Sequence, residues 1–253
     1  NVTSTSDLKN EIVLFGGVDY DYDAFIDNEL LVSNVNVKEF SNRSRYVDYI
    51  HTDTLMQKKR WTYLPSSKRE VEKIGEICLR SNIANRVFIG KEANEEKFKS
   101  FGNYTSKLSP SVIHFSTHGY FNADLVQKLS CKNCGNGVNN SFYPMQQSGL
   151  VLAGANKAWF NSSSLENQNE DGMLSADEIS LMDLSATKLV ILSACETGLG
   201  EIHNSEGVYG LQRAFKISGV NSLIMSLWQV PDKQTADLME LFYDNWLSKN
   251  MNI

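Results

Sequence analysis

Five short apolar runs, each bounded by glycine, proline or polar residues, set the strongest limit on what this chain can fold into. They occupy residues 11–15, 86–90, 111–116, 187–193 and 220–228. Runs of this length indicate strands that are buried on both faces, as in parallel sheets. Between them, apolar residues recur at helical spacing in segments 66–78, 94–101, 175–181, 206–218 and 235–247. The alternation predicts an α/β fold with a mostly parallel sheet and helices on both faces.

Several helix ends carry their own signals. The segment 66–70 opens with two serines and closes on Glu70, and Ser175 precedes Glu178 by three positions. Both patterns resemble capping boxes, in which the two side chains satisfy main-chain N–H groups of the first turn. Gly219 follows the helical pattern of residues 206–218 and is expected to end that helix.

Composition narrows the class of protein. The 253 residues are 42% hydrophobic and carry a net charge of −6, which is ordinary for a globular chain. An acidic balance argues against a general nucleic-acid binder. No apolar run reaches the roughly 18 residues that a membrane helix needs. Four cysteines are too few for a disulfide framework at this length, so a reducing, cytoplasmic setting is expected.

The chain is expected to form one domain over residues 1–253. Residues 1–60 give the weakest structural pattern, and the sequence does not begin with Met, so we expect a fragment of a longer chain. Segments 128–148 and 161–171 are rich in polar residues and predict loops over the edge of the sheet.

Two chemically reactive residues follow predicted strands. His118 comes after the third strand and Cys195 after the fourth. Ligands of open α/β sheets bind outside the carboxyl ends of the strands, so these side chains would face one crevice if the strands are neighbours. An imidazole near a thiol can activate it as a nucleophile. The main-chain N–H groups of Gly119 and Cys195 could then form an oxyanion hole.

Structural interpretations compete with these roles. A cysteine at the end of a buried strand is most often a small apolar filler, and the same holds for Cys78 on the predicted helix 66–78. His114 precedes His118 by two positions, which would place both on one side of a regular strand. We expect His114 to pack beneath the site.

Metal binding has only weak support in the sequence. Cys131 and Cys134 form one C-x-x-C pair, and no second pair completes a structural zinc site. Asp19, Asp21 and Asp23 could bind a cation, although a polar loop after the first strand is favoured. No metal and no cofactor are therefore expected.

Two motifs resemble the signature of the CHAT domain family, a group of caspase-like domains often found behind tetratricopeptide repeats. They are His-Phe-Ser-Thr-His-Gly at 114–119 and Leu-Val-Ile-Leu-Ser-Ala-Cys-Glu-Thr-Gly at 189–198. Further segments with family character lie at 64–72, 171–178, 206–215 and 219–232. The resemblance implies the caspase and separase fold, a three-layer sandwich, and peptide-bond hydrolysis with His118 and Cys195 as the catalytic pair.

The resemblance also suggests where a substrate binds. Asp232 closes a segment that, in separase-like relatives, ends in an acidic residue of the specificity pocket, so it is a candidate for holding a basic P1 side chain. The alternative is that Asp232 caps a helix starting near Thr235. The substrate would lie extended along Ser226, Leu227, Trp228 and Gln229.

By this resemblance the chain is a cysteine endopeptidase controlled by an upstream repeat or sensor region. The family setting adds a protein substrate, which could be gasdermin-like, and a role in bacterial antiviral defence. The alternative is a catalytically silent caspase-like adaptor. A nucleotide-binding domain is disfavoured because neither G-x-x-x-x-G-K-[ST] nor a strand-linked G-x-G-x-x-G is present. Direct nucleic-acid or membrane partners are not expected.

Overall fold

A computed structural model describes residues 11–23, 60–102, 109–121, 145, 148–160, 170–193, 206–226, 231–249 and 251. Within these ranges, one sheet is formed by five strands, β1 (Ile12–Val18), β2 (Asn85–Gly90), β3 (Val112–Phe115), β7 (Leu189–Leu192) and β8 (Ser222–Met225). Their order in the sheet is β2-β1-β3-β7-β8, and every neighbouring pair is parallel. The predicted α/β class with a mostly parallel sheet is confirmed.

Helices cover both faces of this sheet. They are α1 (Pro65–Arg80), α2 (Glu95–Lys99), α3 (Ala155–Phe160), α4 (Ala176–Ser180), α5 (Glu206–Ile217) and α6 (Asp232–Tyr243), the last continued by one π-helical turn, Asp244–Ser248. Ile12 and Leu14 of β1 pack with α1 and α6, whereas Val13, Phe15 and Val18 belong to the cluster that includes α2, α4 and α5. Because both faces are covered, every residue of β1 is buried, as its apolar sequence predicts. None of the described helices is both long and apolar enough to cross a membrane.

A second, three-stranded sheet was not predicted. Its antiparallel strands are β4 (Gly119–Phe121), β5 (Ser148–Val151) and β6 (Met173–Ser175). Strands of three or four residues carry too little periodicity to be recognised. Gly149 lies opposite Tyr120, and a Cβ there would come within 2.3 Å of the Leu174 carbonyl oxygen. This sheet begins directly after His118 and so supports one side of the candidate site.

The start of α1 docks tightly against the ends of β1 and β3. Ser67 Oγ accepts a hydrogen bond from the Gly17 N–H at 2.8 Å and donates one to the Ser116 carbonyl oxygen. Gly17 has a φ of +56°, and a Cβ there would clash with Lys68, so glycine is needed for this approach. The predicted capping box at 66–70 is wrong, because Ser67 bonds to neighbouring strands instead of capping its own helix.

Two other predicted helix signals are confirmed. Ser175 and Glu178 form a capping box at the start of α4, with reciprocal side-chain and main-chain hydrogen bonds. Gly219 follows α5 with a φ of +95°, which is the left-handed conformation that ends many helices.

Candidate functional site

The strands that lead to the two motifs are hydrogen-bonded neighbours. Val112 pairs with Leu189 and Phe115 with Leu192, so each residue of β3 meets the residue 77 positions later in β7. The Ser193 N–H extends this pairing with a 2.8 Å bond to the Phe115 carbonyl oxygen. His118 and Cys195 are also 77 positions apart. The two motifs therefore leave the sheet at the same level of its carboxyl edge.

His118 is 5% exposed and held in a defined orientation. Its Nε2–H donates to the Thr62 carbonyl oxygen at 2.8 Å. Since a carbonyl can only accept, Nε2 carries the proton in the neutral ring and Nδ1 is the basic nitrogen. The rings of Tyr20 and Trp61 lie 5.1 Å and 5.4 Å from the imidazole. Aromatic packing and one main-chain carbonyl thus fix both the plane and the tautomer of the ring.

The surroundings of His118 favour its neutral form. Burial lowers the pKa of His118 below its ordinary value of 6.5, while the bond to Thr62 and the negative charge of Asp232 oppose that change. The imidazole is therefore neutral near pH 7 and can accept a proton. Burial also raises the pKa of Tyr20, so its phenol, 3.0 Å from Thr117 Oγ1, keeps its proton.

Gly119 presents its N–H away from the small sheet. The Val151 N–H donates to the His118 carbonyl oxygen at 2.9 Å, and Gly119 pairs with Leu150. In an antiparallel ladder this places Gly119 in a non-hydrogen-bonded pair, whose N–H groups face away from the partner strand. The geometry suits an oxyanion-hole donor.

Asp232 is the first residue of α6, but its carboxylate bonds to the main chain of another helix, α1. It accepts a 2.9 Å hydrogen bond from the Ser66 N–H in the first turn of α1. The alternative in which Asp232 caps a helix starting near Thr235 is therefore wrong. The helix α6 starts at Asp232 itself and has no side-chain cap; the carboxylate bonds to the first turn of α1 instead. The negative charge of Asp232 also acts on His118 and favours its charged form.

The structure describes some of the remaining predicted site residues and not others. Ser226 follows β8 and is half-buried. Cys195, Leu227, Trp228 and Gln229 lie outside the described residues, as do Cys131 and Cys134. Cys78 is buried in the core, as expected.

His114 lies in β3 within a buried polar network. Its Nε2–H donates to Glu70 Oε1 at 2.9 Å, and the Ser116 hydroxyl donates to Glu70 Oε2 at 2.8 Å. On the other side of the ring, Nδ1 lies 3.4 Å from the Tyr243 hydroxyl. Burial, together with the charge of Glu70, raises the pKa of Tyr243 well above its usual range, so this phenol stays a donor. The network ties α1 and α6 to the strand that leads to His118.

The acidic loop after β1 is engaged in hydrogen bonds and ion pairs. Asp21 accepts from Arg60 at 2.7 Å and from the side-chain amide of Asn156, and Asp23 lies 3.0 Å from Lys157 Nζ. Within the described ranges, no group of three or more potential ligands is arranged for a metal ion. The interpretation as a polar loop is the one that these contacts support.

Sequence reasoning missed the residues that hold His118. Thr62 acts through its carbonyl oxygen, which any residue type could supply, so no side-chain signature exists. Trp61 and Asn156 lie in segments that contain no recognised motif. The one available signal was the tryptophan shortly before a predicted helix, a residue type that is often buried.

Comparison with known proteins adds a family match. The family model of the CHAT domain matches residues 7–253. A mouse protein, "Tetratricopeptide repeat protein 28", is 25% identical over 199 residues, which cover 77% of this chain and 8% of that protein. No solved structure matches.

Proposed function

Because the chain belongs to the CHAT domain family, whose domains have a caspase-like peptidase fold, we propose that it is a cysteine endopeptidase with Cys195 as nucleophile and His118 as base. The observation that carries this proposal is the strand register. The 77-residue offset between β3 and β7 equals the separation of the two residues. A thiol and an imidazole that follow paired strands at equal distance share one edge of the sheet.

The proposed reaction uses the tautomer that Thr62 selects. Nδ1 of His118 accepts the thiol proton while the sulfur of Cys195 adds to the scissile carbonyl carbon. The N–H groups of Gly119 and Cys195 stabilise the oxyanion, at about 3–4 kcal/mol for each donor. His118 then gives the proton to the leaving amine. Water hydrolyses the thioester, which releases the new carboxyl terminus and restores the thiol.

Cleavage is expected to depend on pH with an acid limb below 6.5. Burial lowers the pKa of His118, and the base must be neutral to accept the thiol proton. Activity should therefore rise as pH increases through the lowered pKa and level off above it. The measurement is kcat/KM against pH on peptides drawn from a cleavage library. An acid limb well above 6.5 would contradict a neutral resting imidazole.

We further propose that Asp232 holds a basic P1 side chain. A carboxylate near His118 in a partly dry pocket can bind an arginine guanidinium through paired hydrogen bonds. In an Asp232→Asn variant, the amide oxygen can still accept from the Ser66 N–H, so the fold is retained. We expect preference for Arg over a neutral P1 residue to fall about 10–100-fold.

The matched control for this experiment is Asp237→Asn in the same helix. Asp237 forms an exposed ion pair with Arg69, and its loss should leave the P1 preference unchanged. Equal P1 profiles for wild-type and Asp232→Asn would assign Asp232 to helix contacts alone.

Control by a repeat region is proposed from the comparison. The matched mouse protein is named for tetratricopeptide repeats, and this chain spans 8% of its length. A peptidase acting in the cytoplasm needs restraint, which an adjoining repeat or sensor region would supply. A protein substrate of gasdermin-like type and a role in antiviral defence extend the same proposal. Comparing cleavage with and without the adjoining region tests the restraint.

A further inference from the structure

Asn156 makes an unusual set of contacts for a single side chain. It lies in α3 and is 4% exposed. Its Oδ1 accepts from the Trp61 N–H at 2.8 Å, and its Nδ2 donates to the Trp61 carbonyl oxygen at 3.0 Å. Its main-chain N–H donates to the Tyr20 carbonyl oxygen at 2.9 Å. The amide thus gives Trp61 the two-way pairing that a neighbouring strand would give.

The segment that Asn156 holds has no regular structure of its own. Residues 60–64 form neither helix nor strand, so their main-chain groups depend on partners from elsewhere. Several contacts reach this segment. Trp61 is buried and its ring lies 5.3 Å from that of Trp159, and Arg60 pairs with Asp21, with both side chains more than half exposed. The exposed ion pair contributes little, about 0–1 kcal/mol, and ring packing does not fix the main chain. Within the described residues, Asn156 is the side chain that bonds to both main-chain groups of Trp61.

Trp61 and Thr62 both contact His118. The indole ring lies 5.4 Å from the imidazole in a tilted arrangement, and the Thr62 carbonyl oxygen accepts a hydrogen bond from its Nε2–H. We propose that Asn156 is a positioning residue for His118, acting through the main chain of Trp61 and Thr62. The inference concerns the orientation of the imidazole, and its catalytic consequence rests on the function proposed above.

The test uses the full chain with Asn156→Ala and Asn156→Asp. The alanine variant loses both bonds to Trp61 and the bond to Asp21. The aspartate variant keeps the acceptor for the Trp61 N–H but loses both donated bonds and places a carboxylate beside Asp21. Nitrogen NMR of His118, assigned with a His118→Gln variant, reports tautomer and pKa directly. We expect Asn156→Ala to lose the uniform Nε2–H tautomer. The pKa should fall further because the Thr62 bond raises it, while the charge of Asp232 stays in place. Asn156→Asp should also lose the uniform Nε2–H tautomer, because neither donated bond of Asn156 is kept.

Kinetics provide the second readout. A base displaced by about 1 Å can cost up to about 100-fold in rate, so kcat should fall about 10–100-fold in Asn156→Ala with KM nearly unchanged. The matched control is Asn85→Ala, which removes side-chain bonds to the Gly75 and Ile83 carbonyl oxygens away from His118. This control should leave kcat and the His118 spectrum as in wild type.

The outcomes separate this inference from the proposed peptidase activity. A folded Asn156→Ala or Asn156→Asp protein with an unchanged His118 spectrum and unchanged kcat overturns the positioning role. If the alanine variant does not fold, the aspartate variant decides by the same two measurements. If the spectrum changes as expected but even wild-type protein cleaves no peptide, the positioning role stands and the peptidase proposal fails.

Discussion

Replacing Cys195 with alanine is expected to lower kcat/KM for peptide cleavage at least about 10³-fold while leaving the melting temperature within a few degrees of wild type. The substitution removes the atom that would form the thioester. The fold should survive because exchanging one small side chain for another changes little packing. Wild-type levels of cleavage by the alanine variant would assign the activity to other residues.

Alkylation of the thiol adds an independent check, which also distinguishes a peptidase from a silent adaptor. At pH 7 an activated Cys195 should react rapidly with iodoacetamide, and His118→Ala should slow that reaction. Cys78 is the internal control, because burial raises its pKa to about 12 and shields it from the reagent. Slow reaction at Cys195 in wild type, equal to that of His118→Ala, would favour the adaptor.

Glu70→Ala is expected to lower the free energy of unfolding by about 3–5 kcal/mol. Glu70 is 2% exposed and accepts bonds from both His114 and Ser116. Removing the carboxylate leaves two buried donors without an acceptor and opens a cavity between α1 and β3. Urea denaturation measures the change, since it reports stability separately from activity.

Glu72→Ala is the matched control on the same helix. Its side chain is about half exposed, and its ion pair with Lys68 spans 3.8 Å, so we expect a change within about 0.5 kcal/mol. Equal destabilisation by the two variants would mean that helix propensity, and not the buried network, sets the cost.

Predictions from the sequence were correct for the strands, whose structure is decided by burial. The five apolar runs became the five parallel strands. β1, β3 and β7 are buried at every residue, as a strand covered on both faces requires, whereas the edge strands β2 and β8 are only partly buried. The register that brings the β3 and β7 motifs together follows from strand adjacency, which no single run reveals. The 77-residue spacing of His118 and Cys195 could be interpreted only once the register of β3 and β7 was known.

Elsewhere, contacts distant in sequence overrode local patterns. Ser67 and Glu70 have the spacing of a capping box, yet bonds from Gly17 and His114 use their side chains instead. A serine and a glutamate at that spacing carry no sign of which donors will surround them. Thr62 was equally hidden, because its carbonyl oxygen is common to all residue types. Tertiary structure, not the motif, assigned these roles.

The pairing of β3 with β7 has a consequence for biosynthesis. Contacts between segments 77 residues apart close late and slowly, because a long loop must lose its entropy first. When translation has reached the end of β6, His118 has been synthesised, but β7 and Cys195 have not. A nascent chain is thus expected to stay proteolytically silent until translation has passed β7.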